Sequence, residues 1–166
     1  EEYYYSNTAY ILLGYLVERL SNQSFEDYCM DNIFNPLSMH NTSFFVEDLN
    51  PNHLAVPYMW LHRIYLPVPY YEYHCRTPCG GLNTNLEDLS HFLIAHMNGG
   101  IYNGYTLLNS STIDTMLQVY KYVPSEPLHD WGLIWFRTIL NNLPMWGHTG
   151  GWAAGTNSSL QGHPAE

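Results

Sequence analysis

Charge is what this sequence has least of. Only 12% of its 166 residues are charged, against the usual ~25%. Five are basic, and Lys121 is the sole lysine. With 15 acidic residues the formal net charge is −10. That balance excludes nucleic acid as a partner, because displacing its counterions takes clustered Lys and Arg. Apolar runs are short, and none reaches the ~18 residues needed to span a membrane. Cysteine is scarce, limited to Cys29, Cys75 and Cys79. An odd number does not describe a disulfide framework. Cys75-Arg76-Thr77-Pro78-Cys79 offers a redox or metal pair, but no second pair completes a zinc site, and ordinary thiols are the plainer reading. The chain opens Glu1-Glu2-Tyr3, with neither Met nor a leader-like segment, and reads as the interior of a longer protein.

What is present suffices for a globular core. Hydrophobic residues make up 46% of the chain and aromatics 16%, with 15 Tyr, so disorder is excluded. The surface must lean on Tyr, Asn, Ser and Thr. In a chain this rich in those residues, the Asn-x-Ser/Thr triplets at Asn22, Asn41, Asn109 and Asn157 read as chance.

The periodicity predicts helices first. Ser6 to Leu20 is helical, with Leu13, Leu16, Val17 and Leu20 on one apolar face. Ser24-Phe25-Glu26-Asp27 caps a second helix, lined by Phe25, Tyr28, Cys29 and Ile33 and ended at Asn35-Pro36. Residues 36 to 83 are rich in Pro, Tyr and His, and predict short strands or turns serving a site. Thr84-Asn85-Leu86-Glu87 is a capping box for a helix with Leu86, Leu89, Phe92, Leu93 and Met97 as its stripe, stopped by Asn98-Gly99-Gly100. Ser111-Thr112-Ile113-Asp114 opens a short helix through about Val119. After residue 130 the period shortens. Trp131 to Arg137 and Leu143 to His148 predict a β-hairpin around Asn141-Asn142, with Ala153 to Leu160 as a third strand. The predicted fold class is α+β, mainly helical over about 1–125 and antiparallel strands over about 130–160, in one incomplete domain over 1–166.

Two motifs carry chemistry. Tyr5-Ser6-Asn7 stands directly before the first helix, and Gly147-His148-Thr149-Gly150-Gly151 ends an apolar strand. Taken alone, the first reads equally as an aromatic staple with a helix start and the second as a tight turn. Their order and surroundings decide between the readings. Tyr5-Ser6-Asn7-Thr8-Ala9-Tyr10 runs into Leu13-Gly14. Pro36-Leu37-Ser38-Met39 is followed by Thr42. Gly80-Gly81-Leu82 is followed by Asp88-Leu89 and Phe92. Trp131-Gly132-Leu133-Ile134-Trp135 precedes the last motif. Together they resemble the β-lactamase-related serine hydrolases: class C β-lactamases, D-alanyl-D-alanine carboxypeptidases and their esterase relatives. That family carries Ser-x-x-Lys, then Tyr-x-Asn, then Lys/His-Thr-Gly. The resemblance covers nearly the whole chain.

The resemblance implies a β-lactamase/transpeptidase-like fold and a hydrolase that forms an acyl-enzyme on amides or esters. A free serine is a poor nucleophile without a base. Tyr5 matches the tyrosine that shares this work with the motif lysine, and a nearby ammonium would favour its charged form. Asn7 matches the asparagine that holds that lysine and a substrate carbonyl. His148 and Thr149 match the substrate-binding residues of the third motif. Gly150 would admit substrate close to the strand, and the Gly151 N–H would form half of an oxyanion hole. No Ser in this chain has Lys three positions later, so the nucleophile is expected upstream of Glu1. His148 in place of Lys points away from antibiotic hydrolysis and toward peptidase or esterase chemistry.

Among the other histidines, His53, His62, His74, His91 and His96 lack helical metal spacing and read as exposed or hydrogen-bonded. No metal and no cofactor is called for. The expected partner is a small-molecule or peptide substrate, and the sequence leaves oligomeric state open. Bacterial relatives are commonly exported, so the resemblance implies a periplasmic or secreted location. The rival reading is a non-catalytic relative that binds a peptide or cell-wall ligand; an unrelated structural domain is the third.

Overall fold

In the computed structural model, residues 4–69, 77–122, 130–152 and 156–164 are described. Helices, with two short hairpins among them, come first and a five-stranded antiparallel sheet comes last, which agrees with the α+β class that the sequence predicts.

Helix α1 runs Asn7–Ser21. Ser6 is its N-cap, extended, with its hydroxyl accepting the Ala9 N–H at 3.2 Å. Asn22 ends it in the left-handed region, its N–H donating to the Glu18 carbonyl. The apolar face of this helix is not the one it buries in this chain. Leu13, Leu16 and Leu20 are 53%, 50% and 80% exposed, while Gly14 is buried. The cause is Gly14 itself. A side chain there would run into the Pro78 ring and approach Phe25, so the missing Cβ lets two neighbours reach the helix backbone and sets its rotation. Periodicity defined a stripe, but the small residue beside it chose the contact.

Helix α2, Phe25–Cys29, is capped by Ser24 as predicted, its hydroxyl accepting the Asp27 N–H at 3.0 Å. It widens into a π-turn over Met30–Phe34, then stops at Asn35. Short 3-10 turns at Val46–Asp48 and Pro51–His53 follow. Strands β1, Tyr58–Leu61, and β2, Ile64–Pro67, form a hairpin with every residue exposed. Helix α3 is Thr77–Gly80. The Cys75 end of the Cys75–Cys79 pair, and His74, lie outside the described residues.

Helix α4, Leu86–Met97, starts one residue later than a Thr84 cap would place it. Asn85 is the cap, its side chain accepting the Asp88 N–H at 2.8 Å. Thr84 turns instead to the Thr42 hydroxyl, at 2.7 Å. Asp88 is 2% exposed. Its carboxylate accepts from the Asn41 N–H at 2.6 Å and from the Thr42 hydroxyl at 2.8 Å. This clasp ties α4 to the segment after α2. Leu86, predicted in the stripe, is 87% exposed, whereas Ala95, His96 and Met97 are buried. Strands β3, Ile101–Tyr102, and β4, Tyr105–Thr106, make a small hairpin, and α5 is Ser110–Leu117.

Five further strands follow among the described residues: β5 Lys121–Tyr122, β6 Asp130–Trp131, β7 Phe136–Leu140, β8 Leu143–Trp152 and β9 Thr156–Gly162. They pair in sequence order, all antiparallel. Asn141 and Asn142 both have positive φ, 52° and 65°, the combination a two-residue hairpin turn requires. The predicted strand from Trp131 to Arg137 is broken in two, because Gly132 to Trp135 turns to pair back on itself through Gly132 N–H to Trp135 O. Helix α4 joins the two cores. One comprises Cys29, Phe34, Leu37, Met39 and Ala95; the other comprises Met97, Trp135 and Trp146, flanked by Leu93 and Leu160. No helix of the described residues is long and apolar enough to cross a membrane.

Candidate active site

The site grows from the mismatch in length between β7 and β8. Register pairs run from Leu140↔Leu143 to Phe136↔Gly147, where β7 stops. Strand β8 continues, and from His148 to Trp152 it pairs with β9 alone. Its other edge therefore has no strand beside it, among the described residues, over the stretch that holds His148, Thr149, Gly150 and Gly151. Such an edge presents backbone N–H and C=O groups to whatever docks there.

The start of α1 stands against this edge. The Tyr5 ring lies 6.2 Å from the His148 ring and 6.4 Å from Trp131, centroid to centroid. Trp131 is 6.1 Å from His148 in an edge-on arrangement, and Phe136 is also 6.1 Å from it. So Tyr5 and His148, 143 positions apart in sequence, share one aromatic cluster. Tyr5 is 54% exposed, which leaves its phenol accessible. Asn7 is the first residue of α1 and is exposed. Because Ser6 does the capping, the Asn7 amide is not spent on the helix end.

Two residues of this arrangement were not singled out as site residues from sequence. Trp131 packs against both Tyr5 and His148. Tyr10 anchors the first turns of α1, its hydroxyl donating to the Leu133 carbonyl at 3.2 Å. Burial raises the Tyr10 phenol above its ordinary value, with the Tyr5 phenol adding to the shift. Both residues sit inside quoted stretches, Tyr5 to Tyr10 and Trp131 to Trp135. Their own side chains carry no reactive signature, which is why pattern alone passes over them.

The glycines have local reasons. A Cβ on Gly150 would lie 2.5 Å from the Ser158 hydroxyl of β9, and one on Gly151 would lie 3.1 Å from Asn157 Oδ1. The space at these positions is thus partly taken by the neighbouring strand. His148 donates from Nδ1 to the Thr149 carbonyl at 2.6 Å. Among the other histidines, His91 donates to the Leu37 carbonyl at 3.0 Å and His96 to the Phe92 carbonyl at 2.9 Å. Among the described residues, no group of three or more His, Cys, Asp or Glu could hold a metal ion.

Comparison with known proteins agrees with this fold. The beta-lactamase family model matches residues 1–162, and the chain belongs to that family. Penicillin-binding protein 4 of Amycolatopsis lactamdurans is 25% identical over 157 residues, 88% of this chain and 40% of that protein. Beta-lactamase-like protein 1 of Dictyostelium discoideum is 36% identical over 84 residues, 49% of this chain and 13% of that protein. The octameric penicillin-binding protein homologue from Pyrococcus abyssi superposes with a TM-score of 0.85 at 25% identity, over 99% of this chain and 36% of its own. The fold is β-lactamase/transpeptidase-like, and the chain spans well under half the length of these three relatives.

Proposed function

We propose that the protein containing this chain is a serine hydrolase that cleaves amide or ester bonds through an acyl-enzyme, with Tyr5, Asn7 and the β8 edge forming one side of its site. The observation that carries this reading is the 6.2 Å approach of Tyr5 to His148 beside an unpaired strand edge. In this reading the substrate lies along the free edge of β8. Thr149 hydrogen-bonds its carbonyl or carboxylate, and the Gly151 N–H meets the charge that develops on the acyl oxygen. Tyr5 takes part in moving the proton of the attacking serine, and Asn7 orients the lysine of that serine's motif and the substrate amide. Ser-x-x-Lys does not occur in these 166 residues, so serine and lysine come from elsewhere in the parent protein. Hydrolases of related fold support the reaction class: a D-stereospecific amidohydrolase from Streptomyces and a D-alanine carboxypeptidase from Burkholderia cenocepacia.

A fluorophosphonate probe on the parent protein tests the reading. It should label one serine, outside residues 1–166, and no serine within them. Labelling of a serine inside this chain contradicts the assignment, and no labelling anywhere favours the ligand-binding alternative.

A further inference from the structure

The β1–β2 hairpin takes no part in the site described above. Direct cross-strand partners share a face, so its register divides its side chains. Tyr58 and Pro67, with Trp60 and Tyr65, lie on one face; Met59 and Leu66, with Leu61 and Ile64, lie on the other. One face is thus aromatic, with the Trp60 and Tyr65 rings 4.7 Å apart, and the other is aliphatic. Trp60 is 57% and Tyr65 70% exposed, and every other residue of the two strands is exposed as well. An antiparallel pair in water ordinarily turns one face to a core and a polar face outward. Exposed apolar residues on both faces mark an interaction surface.

The tip and the charge pattern narrow the kind of partner. The turn residues are His62 and Arg63, both in the left-handed region at φ 48° and 70°. Asn and Gly meet that requirement most readily, so these two hold the turn against backbone preference and place a cationic group at the tip. The chain has 15 acidic residues, yet none stands between Asp48 and Glu72, where Arg63 is the one Lys or Arg. In a chain of net charge −10, the hairpin is therefore an acid-free apolar element with a cation at its end.

Size and two-sidedness choose the occupant. Tyr58, Trp60 and Tyr65 are about half exposed, which leaves roughly 350 Å² of aromatic surface at ~150–250 Å² per ring. Two copies meeting through this face would bury about 700 Å², short of the ~1,200 Å² at which stable interfaces begin. The aliphatic face would still lie in water. A lipid interface surrounds both faces at once. Tyr and Trp favour the headgroup level. Interfacial elements sink ~5–10 Å, and four-residue strands, ~13 Å long, reach that depth. The arginine stem is long enough to bend back from a sunken tip to the lipid phosphates.

We propose that the β1–β2 hairpin docks the protein on the surface of a phospholipid bilayer. Trp60, Tyr65 and the aliphatic face enter the boundary between headgroups and acyl chains, and Arg63 meets phosphate oxygens. The hairpin holds the protein at the surface and does not span it. This proposal is independent of the hydrolase reading.

Flotation of the full-length parent with phosphatidylcholine vesicles tests it. The parent should rise with the vesicles. Lipids brominated in the upper acyl chain should quench a tryptophan signal that Trp60→Phe removes. Trp60→Ser combined with Tyr65→Ser should lower the partition by about tenfold or more, with the melting temperature unchanged because both side chains are exposed. Arg63→Glu alone, at the exposed tip, should lower it severalfold, and this variant decides the matter if the double variant unfolds. A parent that stays with the aqueous phase overturns the proposal. So does flotation that survives these variants, or that leaves Trp60 unquenched, since the anchor then lies elsewhere. Self-association that the double variant abolishes, without flotation, also overturns it and names a second copy as the occupant.

Discussion

Replacing Gly14 with alanine should destabilise the protein, although the same change in an ordinary helix does the opposite. On propensity alone, Gly→Ala in a helix interior stabilises by about 0.8–1.0 kcal/mol. Here a Cβ would meet Pro78 Cγ and lie 2.6 Å from Pro78 Cβ. The obstacle is a proline ring on α3, which has no free rotamer with which to retreat. Relief requires α1 and α3 to move apart by roughly 1 Å, and overpacking of this kind costs about 1–3 kcal/mol. The propensity gain offsets part of that, so the expected net loss lies between about 0 and 2 kcal/mol, centred on about 1. Gly80→Ala is the control, since a Cβ there meets nothing within 4 Å, and it should be neutral or slightly stabilising. Urea unfolding of the parent protein, followed by tryptophan fluorescence, reads both variants. Because α1 carries Tyr5 at its start, Gly14→Ala should also lower kcat more than Gly80→Ala does. A Gly14→Ala protein as stable as the unmodified one would falsify the account of how α1 is seated.

Asp88→Ala should cost about 3–5 kcal/mol, because it removes the two bonds that a buried carboxylate accepts from the Asn41 N–H and the Thr42 hydroxyl, and hydrogen bonds to a charged group are worth about 1.5–3 kcal/mol each; a urea midpoint shift equivalent to under about 1 kcal/mol speaks against the clasp. Burial lowers the His96 imidazole below its ordinary value, opposed in part by its bond to Phe92. Its folded value is therefore below the unfolded ~6.5. The associated stability is full above pH ~6.5 and is lost as pH falls through the lower folded value, at no more than about 1.4 kcal/mol per pH unit. His96→Phe should flatten that part of the stability–pH curve, and an unchanged slope refutes the assignment. Burial, with Glu26 adding, pushes the Cys29 thiol up to about 12, so iodoacetamide at pH ~8 should modify Cys79 well before Cys29 in the native protein; equal rates would show that α2 opens readily.

How much of this was legible in the sequence depended on whether the signal was local. The Ser24 cap, the Asn141-Asn142 turn and the Asn98-Gly99-Gly100 stop follow from backbone chemistry within a few residues, and each stands where it was expected. The α4 cap moved by one residue because Thr84 had a competing partner, Thr42, distant in sequence. The leucines of α1 form the expected apolar stripe but stay exposed in this chain, and the helix packs instead through Gly14, where Pro78 and Phe25 approach its backbone. The motif pattern named Tyr5, Asn7 and His148 to Gly151. It did not name Trp131 and Tyr10, whose contribution is to hold others in place, and only the tertiary contacts reveal that. The tautomer of His148 depends on one hydrogen bond to the next carbonyl, which no spacing rule encodes.

The central claim is that Tyr5, set beside His148 at the free edge of β8, moves a proton in acyl transfer. Tyr5→Phe in the parent protein tests it most directly. The ring packing against Trp131 and His148 is kept, and only the hydroxyl is lost. With thermal stability unchanged, kcat for an activated ester should fall by about 10²–10⁴-fold with KM little altered, the usual contribution of a general acid–base group. A variant that retains kcat within about threefold contradicts the account.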